Sequence, residues 1–194
     1  MAEFPKEYEW LKSSLAQNQG HPLMVAEALR QFGVHEIAGS ASNPIIIGWA
    51  KEIAALPGKK SVTGYTNDDT AWCGLFMAHV AHTTGKPFPD EPLWALNWAE
   101  FGTPSPQASL GDVLVFNRFD KTGKLIGGHV GLYVAEDGDA FHVLGGNESD
   151  QVEITRIAKG RLKAARRPAY PVGMPANAKP VMVSAGGALS QNEA

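Results

Sequence analysis

The chain has 194 residues, enough for one domain with a substantial core, and its 44% hydrophobic and 19% charged content is ordinary for a globular protein. A formal net charge of −3 argues against a nucleic-acid binder, and a single cysteine excludes an internal disulfide or a cysteine-rich zinc site. No run has the apolar length needed for stable membrane insertion, and the start MAEFPKEYEWLKSS lacks the apolar centre of a signal peptide, so synthesis in the cytoplasm is expected.

The first half reads as helical. Tyr8, Leu11 and Leu15 have helical spacing, followed by a break at Gly20-His21-Pro22. Met24, Val25, Ala28, Leu29 and Phe32 predict a second helix that stops at Gly33. The loop GVHEIAGSASNP leads to a third helix over 45–55, with Pro44 suited to its first turn and Asn43 to its cap. A fourth helix is expected to begin near Thr70 or Ala71, with Asp68, Asp69 and Thr70 as candidate N-caps, and to stop near Gly85. Cys73, Phe76, Met77, Val80 and Ala81 recur on one face of it, which turns the cysteine inward. Trp94, Leu96 and Trp98 suit a short helix, with the tryptophans read as core rather than as sugar-stacking platforms.

From Gly111 the period changes to two. Strands are predicted over 112–116, 128–134, 140–144, 152–157 and 161–167, with Asp137-Gly138 as a hairpin turn. Helices followed by an antiparallel sheet make an α+β domain over residues 1–170, helical to about 105 and sheet from about 106. The segment 171–194, rich in Pro, Ala, Gly and Ser, reads as a flexible tail. Arg161, Lys163, Arg166 and Arg167 read as a solvated strand surface rather than a phosphate site.

A thiol is nucleophilic as thiolate, and the first turn of a helix favours that negative charge. Cys73 is expected there and needs a base. Of six histidines, His129 is the best placed, on a strand whose Val130, Leu132 and Val134 face one side while His129, Gly131 and Tyr133 face the other. A third polar group must orient the imidazole. A three-residue Asp137-Gly138-Asp139 loop places Asn147 opposite His129, whereas a two-residue loop places Gly146 there unless Gly145-Gly146 carries a bulge. His142 is the rival, roughly 10–13 Å from that point at the usual strand rise. His79 and His82, at i and i+3, lack a third ligand at metal spacing and are read as satisfied or surface histidines, and no cofactor or metal is expected. Asp112 is read as a turn cap, and Glu36 as part of the loop that precedes the third helix.

Four segments together resemble the CHAP and NlpC-type cysteine peptidoglycan hydrolases, especially the branch common in bacteriophage and prophage genomes. They are FGVHEIAGSASNPIIIGWA, DDTAWCGLFMAHV, LGDVLVFNR and GGHVGLYVAEDGDAFHVLGGNESDQVEI, spanning about Phe32 to Arg167. The resemblance implies a papain-like fold and an amidase or endopeptidase that cuts an amide bond in the peptide stem of peptidoglycan, with no cofactor and as a monomer. It places Cys73 as nucleophile and His129 as base. CHAP-like members carry an Asn or an acid where Asn147 stands, and NlpC-type members often a His near His142. The Cys73 backbone N–H would supply half of an oxyanion hole, with Tyr65, Asn67 or Asp69 as candidates to complete it. A phage endolysin and an injected antibacterial effector both suit a chain without a signal peptide, and a non-catalytic wall-binding or virion module with this fold is the alternative.

Overall fold

In the computed structural model, which describes residues 4–16, 22–184 and 188–190, the chain is α+β. Four helices, α1 Glu9–Ala16, α2 Leu23–Arg30, α3 Pro44–Ala54 and α4 Cys73–Thr83, precede six strands. The strands are β1 Thr103–Pro104, β2 Val113–Phe119, β3 Leu125–Glu136, β4 Ala140–Glu148, β5 Gln151–Ala158 and β6 Leu162–Arg167. They form one antiparallel sheet in the order β1-β6-β2-β3-β4-β5.

Alternation along the strands divides the apolar side chains into two cores. Val113, Val115, Val130, Leu132, Val134 and Leu144 join the helices, where α4 packs on β3 and β4 and is flanked by α2 and α3. Leu114, Phe116, Tyr133, Phe141, Val143 and Ile157 make a smaller cluster on the other face. Trp49 of α3 packs its ring 5.6 Å from Phe76 and 6.1 Å from Trp72, which joins α3 to the start of α4. Asn43 caps α3, its Oδ1 accepting from the Ile45 N–H at 2.9 Å, with Pro44 in the first turn as the sequence predicts.

Several expectations need correction. The fourth helix begins at Cys73, and no side chain caps it. Asp68 is fully buried and turns elsewhere, its Oδ2 accepting from the N–H groups of Asn43 (2.7 Å) and Ile37 (3.2 Å), while Asn67 and Asp69 bond each other in an exposed turn. Residues 95–100 form a 3-10 turn, and of the two tryptophans only Trp98 joins the core; Trp94 is 52% exposed. The tail expected to be flexible lies along the sheet where it is described. The Glu136 N–H donates to the Val181 carbonyl, the Val183 N–H to that of Glu136, and the Ser190 N–H to that of Arg156. Those backbone groups at the ends of β3 and β5 need partners, and a Pro/Ala-rich segment can supply them without hydrophobic periodicity. Gly20 and His21, where the first helical break is expected, and the side chain of Leu15 lie outside the described residues.

The basic residues at the chain's end hold the edge of the sheet together. Arg166 donates to the Phe101 and Gly102 carbonyls, and Arg167 makes a two-pronged contact with buried Asp112 at 3.0 and 2.9 Å. Asp112 also accepts from the Ser109 N–H and the Ser105 hydroxyl, so it caps the turn before β2. Asp112→Ala orphans those donors around a partly buried guanidinium and is expected to lower stability by about 2–3 kcal/mol. Urea unfolding followed by tryptophan fluorescence measures it.

Candidate active site

Cys73 is the first residue of α4, and two glycines let it and its neighbours pack so closely. A Cβ on Gly74 would lie 2.1 Å from the Pro92 carbonyl oxygen and 2.8 Å from that of Leu93. The backbone of residues 92–93 therefore passes directly over the helix start. Its position is held by Trp98, whose Nε1–H donates to the same Pro92 carbonyl at 2.9 Å. On the sheet side, a Cβ on Gly146 would lie 2.6 Å from both Trp72 and Phe76.

His129 lies on β3 opposite Phe116 of β2 and is fully buried. The Cys73 sulfur is near enough to act electrostatically on its imidazole, and neither ring nitrogen makes an aligned hydrogen bond. Its Nε2 stands 2.7 Å from Oε1 of Glu148, which is also fully buried. That approach is off the N–H direction, so the contact is a close ion pair rather than an aligned hydrogen bond.

Burial is the largest influence on His129 and by itself pulls its pKa down. The charge of the Glu148 carboxylate first, and the neighbouring Cys73 sulfur after it, outweigh burial and raise the imidazole to about 10. Since this lies above the ordinary value near 6.5, protonated His129 contributes stability that is complete below about pH 6.5. That contribution is lost as pH climbs through about 10.

The residue beside His129 is thus Glu148, not Asn147, and the cause is a bulge. The β3–β4 ladder shifts by one residue between Tyr133 and Ala135, then runs through Tyr133↔Val143 and Leu132↔Leu144. Continued without interruption, that register would bring Asn147 opposite His129, as one reading of the hairpin expects. Plain alternation would also put Asn147 on the face of Gly145, whose Cβ would lie 3.1 Å from His129 Nε2. Between Gly145 and Glu148, however, the β4–β5 register slips and Asn147 takes φ 60°. The inserted residue turns Asn147 away and brings Glu148 round to the imidazole.

Asn147 is instead a junction. Its Oδ1 accepts the backbone N–H of Trp72 at 3.0 Å, and its Nδ2 donates to Glu36 at 3.0 Å. Glu36 also accepts from Trp72 Nε1 at 2.7 Å, so the pre-helix loop, the residue before Cys73 and the β4 bulge share one polar knot. Burial raises the pKa of Glu36 above the usual carboxylate range; the Trp72 hydrogen bond opposes this, and the charges of Asp150, Asp68 and Asp69 add to it. The signals for Glu148 and Glu36 were present in the sequence, as an acid after the bulge-tolerant Gly145-Gly146-Asn147 and an acid in the loop before α3.

The remaining candidates separate cleanly. His142 is buried elsewhere, with Nδ1 3.0 Å from the Tyr8 hydroxyl and Nε2 2.9 Å from Asp137, so it does not serve His129. Tyr65 donates its hydroxyl to the Thr70 carbonyl, and burial first, then the charges of Asp68, Glu36, Cys73 and Asp69, push its pKa up. His79 pairs with Glu52 at 2.7 Å and stacks on Trp49, and no group of three or more metal-type ligands occurs among the described residues.

Asn147→Ala leaves the buried Trp72 N–H without its acceptor and takes one of two donors from Glu36 Oε1, and a loss of about 1–3 kcal/mol in unfolding free energy is expected. Gly145→Ala puts a methyl group 3.0–3.1 Å from the Glu148–His129 pair, and imidazole resonances in NMR spectra are expected to move while the fold is kept. Comparison of the chain with protein-family models, with curated proteins and with solved structures found no match.

Proposed function

We propose that the protein is a papain-like cysteine amidase or endopeptidase that cleaves an amide bond in the peptide moiety of bacterial peptidoglycan, acting on the wall as a phage endolysin does. The observation that carries this reading is the buried thiol–imidazole–carboxylate series Cys73, His129, Glu148, at the start of a helix with no side-chain cap. The peptide substrate rests on the sequence resemblance; the chemistry rests on the three side chains.

The sulfur of Cys73, as thiolate beside the His129 imidazolium, attacks the carbonyl carbon and forms a C–S bond. Charge moves to the carbonyl oxygen. The backbone N–H groups of the first turn of α4, which have no intrahelical partner, can receive it. The imidazolium gives its proton to the amine as the C–N bond breaks. Neutral His129 then takes a proton from water, the hydroxide attacks the thioester, and the C–S bond breaks to restore the thiolate and release a carboxylic acid, which gives its proton to solvent. Glu148 keeps the imidazole oriented and protonated for the first proton transfer; Asn147 and Glu36 hold the peptide that leads into Cys73.

Purified peptidoglycan incubated with the protein is expected to release new amino groups, detected by mass spectrometry of the soluble products. Cys73→Ala should abolish that release. Equal release by the variant would overturn the cysteine mechanism, and wall binding without products would favour a non-catalytic module. Glu148→Gln removes the charge that raises His129 while leaving its burial, so the alkaline limb of the pH–rate profile should move down by about one pH unit or more. Turnover should fall further for Glu148→Ala than for Asn147→Ala, and least for His142→Ala.

A further inference from the structure

The β2–β3 hairpin ends in water with three large apolar side chains at its tip. Phe119 is 49% exposed, Leu125 47% and Ile126 53%. Phe119 and Leu125 are cross-strand partners, so their side chains adjoin, and Ile126 is the extra residue of the bulge beside them. Lys121 and Lys124 are exposed in the turn between them, and Arg118 precedes it. The one acid from 118 to 126 is Asp120, whose Oδ1 is turned into the loop, accepting from the Thr122 N–H and hydroxyl and the Lys124 N–H. With Gly123 at φ 81°, those bonds shape the turn in advance, so little order has to be gained on binding. A cationic, apolar tip thus stands out from a chain whose net charge is −3.

We propose that this hairpin tip docks the protein peripherally on an anionic lipid bilayer. Apolar side chains enter the headgroup boundary while lysines on the same turn meet lipid phosphates, and neither feature accounts for the other alone. A soluble polyanion would pair with the cations and leave Phe119, Leu125 and Ile126 in water, which is why the lipid surface is the better fit. Ile126 is three residues from His129, roughly 10 Å along the strand, so docking would hold the Cys73 site close to the bilayer. The inference does not depend on Cys73 being catalytic.

The test is flotation of the full chain with vesicles of phosphatidylglycerol and phosphatidylcholine, beside vesicles of phosphatidylcholine alone. Binding to the anionic vesicles is expected and should weaken as salt is raised. A triple variant Phe119→Ser, Leu125→Ser, Ile126→Ser and, separately, Lys121→Glu with Lys124→Glu should each reduce it at least tenfold, with unchanged circular dichroism and thermal midpoint. Failure of the wild type to float, or equal flotation of the apolar variant, overturns the proposal. Heparin serves as a lipid-free polyanion. If heparin binds wild type and apolar variant alike and accounts for all the salt-sensitive binding, the tip is a polyanion site and the proposal falls.

Discussion

The peptide N–H of Trp72, accepted by Asn147 Oδ1 at 3.0 Å, is the contact on which the geometry around Cys73 rests. The two residues are 75 positions apart, and the bond joins the entrance of α4 to the end of β4. Glu36 completes it by taking one hydrogen bond from each partner. Helix dipole and first-turn amides fix what Cys73 can do, but this knot fixes where it is. A thiol nucleophile displaced by an ångström from its base loses much of its advantage, so under the proposed mechanism the polar knot would act by positioning Cys73 without touching the reacting atoms.

The same asparagine decides which acid meets the histidine. By adopting a left-handed conformation it inserts an extra residue into β4, and the alternation of the strand is reset at Glu148. Glycine at 145 and 146 makes room on both faces, beside the imidazole on one and beneath Trp72 and Phe76 on the other. A carboxylate in place of an amide changes the electrostatics of the site. An amide could orient the imidazole, whereas Glu148 also offsets the cost of keeping it charged in a buried position.

Much of this was legible in the chain. The switch from helical to alternating periodicity near Gly111 marks the α+β division, with Cys73 at a helix start and His129 on a strand. Misplaced features are those where a polar side chain had more than one use for its oxygen. Asp68 suits a helix cap locally, but two backbone N–H groups of the 37–43 loop claim it, so α4 starts later and uncapped. Trp94 has core spacing on a helix, but the segment winds as a tighter 3-10 turn that exposes it.

The sequence by itself determined the order of elements and the helical or alternating period of each, because these follow from local periodicity and residue chemistry. Only the tertiary structure decided that Glu148 rather than Asn147 faces His129, that Glu36 belongs to the same site, and that the tail runs beside the sheet. Each of those depends on a register slip of one residue or on a partner more than twenty positions away. A strand's two faces are equivalent until its neighbours fix them, so no local pattern could have chosen between them.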